Sequence, residues 1–264
     1  MSNAIWLGLP WLALCLVTVL VHQMPAQTAR TELNSGVMAY KQGKYDEAID
    51  HFQNAVSLDP SLLNAHLYLA AAFSQRYIPG VDTAENNKTA AKAIEQYREV
   101  LQADPENINS VKGIAYLYMQ MKKFEDSKEY YRKAVELNPN DPDSYYSIAV
   151  IDWSQSYRVR MQERAKLGIK PEEPLEDNNA CAVLKTANTT VIEDGIAALG
   201  KALQLRPDYD DAMAYMNLLY RERADLQCEN PDARAADLKT ADEWVDKTMA
   251  TKKAKIERLK ASQE

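Results

Sequence analysis

One residue pattern recurs along this chain: a small residue, a large apolar one four positions later, another small or β-branched one after three more, and a proline after a further five. Positions i, i+4 and i+7 lie on one face of an α-helix, and proline cannot continue a helix. Each copy therefore predicts a helix that packs closely through its small residues and ends before its proline. The copies are Ala48, Phe52, Ala55, Pro60; Ala93, Tyr97, Val100, Pro105; Ser127, Tyr131, Ala134, Pro139; and Gly195, Leu199, Ala202, Pro207.

Two stretches around these helices show a longer unit. YKQGKYDEAIDHFQNAVSLDP (residues 40–60) and FEDSKEYYRKAVELNPND (residues 124–141) resemble the tetratricopeptide repeat, which has a period of about 34 residues. The resemblance covers residues 31–207 most clearly. It implies an all-α protein of the exported or membrane-anchored bacterial type, an α-solenoid of about five tetratricopeptide-like helix pairs over residues 27–264. The motif is specific for a fold and not for a function.

The intervals between the prolines are 45, 34 and 68 residues, and only the second equals one period. The first leaves about eleven extra residues, which predicts an insertion around residues 76–88, where Pro79 and Gly80 indicate a turn. The third equals two periods, but a further copy of the pattern is missing there, which predicts an insertion around residues 155–188. The helix that leads into this insertion is predicted to reach beyond the stack, and its far end is basic: Arg158, Arg160, Arg164 and Lys166. The insertion either wraps the neighbouring repeat or protrudes to bind a partner.

The N-terminal part differs from the repeats, because residues 5–21 carry no charged side chain. This stretch is longer than a signal-peptide core of roughly 7 to 15 residues and close to the shortest membrane span of roughly 17. Residues 1–26 are therefore predicted to be a signal peptide or a transmembrane anchor, with membrane contact through residues 5–21. The protein is expected to be exported: anchored in the inner membrane and facing the periplasm, or secreted after cleavage near Ala26.

Two of the three cysteines lie in segments that interrupt the repeats. Disulfides persist in exported proteins, so Cys181 and Cys228 are candidates for a bridge that would close a loop of roughly 46 residues. The alternative is that both are small buried residues without a bond between them.

The chain ends in a predicted long helix that starts near Ala233 and has no stop signal. A helix of this kind normally caps a solenoid, because the last repeat lacks a neighbour. Its basic end either complements the helix macrodipole or meets an acidic partner or a membrane surface. The cations are Lys252, Lys253, Lys255, Arg258 and Lys260.

Motifs of enzyme chemistry are missing from the sequence. The three histidines are scattered, and the eight glycines form no phosphate-binding loop. The formal charge of -7 gives no electrostatic reason to bind nucleic acid. We therefore expect no catalytic residues, no metal and no cofactor.

The function predicted by the resemblance is partner binding. In tetratricopeptide arrays the first helices of the repeats line a concave groove, and aromatic side chains there anchor a peptide or helix. We predict a non-enzymatic scaffold for protein partners; the alternative is a structural subunit of a filament or larger membrane complex, assembling through its ends and insertions. The predicted groove residues are Tyr40, Lys41, Leu67, Gln75, Lys112, Tyr116, Met119, Tyr146, Val150, Trp153, Leu218 and Arg221.

Overall fold

A computed structural model describes residues 11–170 and 173–262 of the chain, with side chains from residue 26 onward. This part contains ten α-helices and no strand, which confirms the all-α prediction. The helices are α1 (Trp11–Lys41), α2 (Tyr45–Leu58), α3 (Leu63–Arg76), α4 (Ala84–Ala103), α5 (Ile108–Gln120), α6 (Phe124–Leu137), α7 (Pro142–Leu167), α8 (Asn178–Leu205), α9 (Asp210–Ala224) and α10 (Pro231–Ala261).

The predicted apolar segment, residues 5–21, lies partly outside the described residues. Among the helices that the structure does describe, none combines the length and the apolar character needed to cross a membrane. The boundary after residue 26 and the role of the segment stay predictions.

The helices fall into two compact units. Unit 1 comprises the described residues up to Met121, and within it α1 packs on α2, α2 on α3, α3 on α4 and α4 on α5. Unit 2 comprises those from Lys122, and within it α6 packs on α7, α7 on α8, α8 on α9 and α9 on α10. Consecutive antiparallel helix pairs are the arrangement that the repeats predict.

Small residues do lie where helices meet. Ala48, Ala55 and Ala93 are completely buried, and two glycines bring aromatic rings close to a backbone. A Cβ atom on Gly36 would lie 2.5 Å from Cε1 of Phe52, and one on Gly113 would lie 2.3 Å from Cζ of Tyr97. The large residue of the pattern therefore packs directly on a helix backbone.

Replacing Gly113 by alanine is expected to destabilise unit 1 by about 1–3 kcal/mol, because the added methyl group overlaps the Tyr97 ring. Gly200 is a matched control, since it lies within α8 and nothing would meet its Cβ within 4 Å. Gly200→Ala should stabilise the protein by about 0.5–1 kcal/mol through helix propensity. Urea denaturation measures both changes, and equal effects from the two variants would contradict the close packing.

The first predicted insertion is a loop over residues 77–83 followed by an early start of α4. Asn86 closes the loop: its side-chain amide accepts a hydrogen bond from the backbone N–H of Ile78 and donates to the carbonyls of Ile78 and Val81. Thr83 caps α4 by accepting from the N–H of Asn86. This insertion is thus a self-contained turn.

The second predicted insertion enlarges unit 2. Helix α7 runs to Leu167, Gly168 ends it in the left-handed conformation (φ 68°), and α8 begins at Asn178. Leu175 and Leu184 are buried in one apolar core with Leu226, which follows α9. The insertion therefore covers the neighbouring repeat, the first of the two alternatives.

Arg164 holds this region together. Its guanidinium is almost fully buried, donates to the carboxylate of Asp225 and also donates to the carbonyl oxygens of Lys170 and Glu173. Arg160 contacts the same Asp225 carboxylate. The basic residues that suggested a protruding helix end therefore include two that are ion-paired inside unit 2.

Cys181 and Cys228 form a disulfide, with their Cα atoms 6.1 Å apart. The bond joins the first turn of α8 to the loop between α9 and α10, beside Asp225. Its position adds a covalent link to the same region that Arg164 holds by hydrogen bonds.

Candidate functional site

An aromatic cluster lies in unit 2, on α7 and on the segment that includes α9. Trp153 stacks on Tyr157 with ring centroids 5.1 Å apart and meets Tyr215 edge-on at 5.4 Å. Tyr146 contacts Tyr215 at 5.5 Å and Tyr209 at 5.1 Å. Helical spacing explains the stack, because Trp153 and Tyr157 are four residues apart on α7 and share a face.

A cavity of about 340 Å³ opens beside this cluster, bounded by α7, α9 and the start of α10. We call it the α9 cavity. Trp153, Tyr157, Leu218 and Leu238 supply its apolar wall. Charged side chains supply the rest: Arg160, Arg221, Glu222, Asp225 and Arg234.

A second cavity, of about 550 Å³, lies between α7 and the start of α6 and is called the α6 cavity. Trp153 and Tyr157 line it as well, with Phe124 and Met161. The stacked pair is therefore a wall common to both cavities. The Tyr157 side of the stack is exposed at the surface of unit 2.

The floor of the α9 cavity is a buried charge network. Arg160 lies 2.6 Å from the carboxylate of Asp225 and 3.5 Å from that of Glu222. Burial is the main cause that raises the pKa of Glu222 to about 7; Arg160 and Arg164 act to lower this pKa, and the negative charge of Asp225 acts to raise it. One carboxylate oxygen of Glu222 has no hydrogen-bond partner.

The rim of the α9 cavity is positively charged. Arg221 is paired with the exposed Asp242 at 2.6 Å. Arg234 forms no side-chain ion pair or hydrogen bond within the described part of the chain, and its Nε atom is buried. An anionic group at the rim would therefore find a guanidinium without a carboxylate already bound to it.

The structure brings together some of the predicted groove residues. In unit 2, Trp153, Leu218 and Arg221 line the α9 cavity, and Tyr146 joins the same aromatic cluster through Tyr215. Val150 lies on α7, half-buried. Whether these residues bind a partner stays a prediction.

The predicted residues of unit 1 form a looser set. Tyr40 contacts the ring of Tyr45 at 5.4 Å and has a side-chain hydrogen bond with Gln75. The others lie on α1, α3 and α5. They are Lys41 and Tyr116, which are exposed, and Leu67, Lys112 and Met119, which are half-buried.

Sequence reasoning missed Tyr157, Glu222 and Arg234 as cavity residues. The i, i+4 spacing from Trp153 could have revealed Tyr157, because residues with this spacing lie on the same face of a helix. The charged residues give no such signal. Arg160 was recognised only as part of a basic run, since its partner Asp225 is 65 residues away.

The two histidines with described side chains have structural partners. His66 is hydrogen-bonded to Gln96 and to the carbonyl of Pro60, and His51 to Glu32. Over the described ranges, 11–170 and 173–262, no group of three or more His, Cys, Asp and Glu residues is arranged to hold a metal ion.

Comparison with known proteins identifies tetratricopeptide repeats in two segments. Residues 36–75 match a model described as TPR repeat, and residues 112–141 match one described as Tetratricopeptide repeat. The repeats predicted from residues 40–60 and 124–141 are thus confirmed.

Two curated proteins are distantly similar. Type IV pilus assembly protein PilF of Pseudomonas aeruginosa is 24% identical over 215 residues, which cover 72% of this chain and 83% of that protein. Human Protein O-mannosyl-transferase TMTC3 is 23% identical over 188 residues, or 69% of this chain, but the chain spans only 19% of the length of TMTC3.

Solved structures of MamA are similar in fold. MamA 41-end from Desulfovibrio magneticus RS-1 has a TM-score of 0.57 at 14% identity, covering 86% of this chain and 96% of the other. A further MamA crystal structure has a TM-score of 0.55 at 15% identity, with 85% and 95% covered. This likeness confirms the predicted fold, a tetratricopeptide α-solenoid.

Proposed function

We propose that the chain is a non-enzymatic protein-interaction scaffold whose unit 2 binds a peptide or helix of a partner at the Trp153–Tyr157 stack. The observation that carries the proposal is that this stack lines both the α9 cavity and the α6 cavity. Aromatic side chains at the edge of a preformed cavity bury much area on binding at a small cost in rotamer entropy.

The chemistry of the α9 cavity selects a type of ligand. Its wall of Trp153, Leu218 and Leu238 suits one apolar or aromatic side chain. The Arg234 guanidinium at its rim suits a carboxylate on the same ligand, because a partly desolvated arginine prefers a planar anion. The ligand is therefore a segment with an apolar residue next to Asp or Glu.

The proposal includes an exported location. It is supported by the uncharged residues 5–21 and by the disulfide between Cys181 and Cys228, a bond that is rare in reducing compartments. A role in assembling a cell-surface complex fits the similarity to PilF, whose name assigns that protein to type IV pilus assembly.

Peptide display on the purified full chain tests the binding site. We expect selected peptides to combine an aromatic or large apolar residue with a neighbouring acid. In fluorescence anisotropy, Tyr157→Ala should weaken their binding about tenfold or more, and Arg234→Glu should weaken acidic peptides while favouring versions with lysine in place of the acid. Tyr157 is 39% exposed, so its replacement should leave the fold intact.

Val183→Ala is the matched control, because Val183 is 45% exposed in unit 2 and lines neither cavity. Its variant should bind as the wild type does. Peptides that bind Tyr157→Ala and Arg234→Glu with unchanged affinity would overturn the proposed site.

A further inference from the structure

One face of α10 is apolar and exposed along its second half. Val245 is 39% exposed, Met249 64%, Ile256 53% and Leu259 63%. The adjacent face of the same helix packs on α9, and Ala241 and Thr248 are buried there. The exposed residues therefore form a stripe beside the packed face, and no described residue covers them.

The stripe has the spacing of a coiled-coil seam. Its members lie at intervals of four, three, four and three residues when Lys252 is included: Val245, Met249, Lys252, Ile256 and Leu259. Apolar residues with this alternation are the a and d positions of a heptad repeat, whose natural partner is another helix. An isolated surface helix would need no such regularity.

The charges beside the stripe indicate which helix fits. On its open flank lie Asp246, then Lys253 and Lys260, so the flank is acidic in its first half and basic in its second. Two copies of α10 in antiparallel orientation would place Asp246 of each copy beside Lys260 of the other, with Lys253 near the two-fold axis. A parallel pair would instead place Lys260 beside Lys255 of the other copy, because e positions face g positions across a parallel seam, and the two like charges repel.

The basic end of α10 is largely occupied within its own chain. Lys255 is paired with Asp210, Lys252 lies 3.9 Å from the same carboxylate, and Arg258 lies 3.7 Å from Asp208. These pairs fix the end of α10 against the start of α9. They also remove charge that an anionic membrane surface or an acidic partner would need.

We propose that two copies of the chain associate through the α10 stripe as an antiparallel helix pair with two-fold symmetry. A contact of this kind is self-complementary and closes on itself, so it yields a dimer and does not propagate into a filament. The dimer would present two α9 cavities to a partner. This inference is independent of the peptide site, because neither cavity is lined by a member of the stripe.

Sedimentation equilibrium of the full chain tests the proposal by measuring the mass of the protein in solution. A density-matched detergent keeps residues 5–21 in solution. We expect the wild type to have the mass of a dimer. Met249→Glu and Ile256→Glu should raise the dissociation constant at least about tenfold, since each puts two carboxylates into the seam. Both positions are more than half exposed, and circular dichroism should show unchanged folding. Val183→Glu, on the exposed surface of α8, should remain dimeric.

Charge reversal tests the orientation. Asp246→Lys and Lys260→Asp should each weaken the dimer, and the double variant should restore it, because the antiparallel pair exchanges the two charges between copies. A wild type that is monomeric throughout the concentration range would overturn the proposal. A dimer that is indifferent to the stripe variants would overturn it too, as would a monomer whose binding to phosphatidylglycerol vesicles is lost with Met249→Glu.

Discussion

Replacing Lys128 by methionine is expected to lower the free energy of unfolding by about 3 kcal/mol at pH 8. The ammonium group of Lys128 on α6 lies 2.5 Å from the carboxylate of Asp152 on α7, and the two side chains are 8% and 0% exposed. The second carboxylate oxygen of Asp152 has no hydrogen-bond partner. Without Lys128, α7 would carry a buried carboxylate with little left to compensate its charge.

The loss should depend on pH. Burial raises the pKa of Asp152 to about 6, against the lowering effect of Lys128. Because the folded-state pKa exceeds the unfolded one, the wild type loses stability as the pH rises from about 4 to 6. The variant lacks the lowering effect, so its loss continues above pH 6. The difference between the two proteins should therefore be small at pH 5 and large at pH 8.

Urea denaturation at pH 5 and pH 8 provides the measurement. Lys128→Met combined with Asp152→Asn should recover most of the stability at pH 8, because the buried charge is gone. Lys133→Met is the control on the same helix; Lys133 is exposed, and its variant should change stability by no more than about 0.5 kcal/mol. Equal losses at both pH values would show that Asp152 does not carry the effect.

The sequence predicted the parts of this molecule that follow from helical periodicity. Small and large residues at i, i+4 and i+7 identified the packed faces, and Phe52 and Tyr97 do lie against the backbone at glycines. Trp153 and Leu218 were placed on one surface by the resemblance to tetratricopeptide arrays, and both line the α9 cavity.

Pairing between distant charges could not be predicted in this way. Lys128 follows a packed serine and has the pattern of a solvent-exposed residue, but its partner is 24 residues away on another helix. Arg164 belonged to a basic run and is instead the most deeply buried cation of unit 2, because Asp225 and two carbonyl groups surround it. Local periodicity carries no information about such partners.

Loss of the disulfide between Cys181 and Cys228 is expected to destabilise unit 2 by about 3–4 kcal/mol on the chain-entropy model. The two residues are 47 positions apart, so the bond closes a large loop in the unfolded chain and lowers the entropy of the unfolded ensemble. Arg164 and the core around Leu184 hold the same region without the bond. The reduced protein should therefore still fold, with a lower urea midpoint.

Cys181→Ala/Cys228→Ala is the appropriate variant, because a serine at the buried position 181 would leave a hydroxyl group in the apolar core. Dithiothreitol should lower the midpoint of the wild type to that of the variant and should leave the variant unchanged, which also controls for Cys15. Hydrogen exchange should quicken near residues 173–184 and 225–230, where the bond joins α8 to the loop after α9. A wild type whose midpoint does not respond to reductant would contradict the role given to the bond. Exchange that quickened equally in α1–α5 would place its effect outside unit 2.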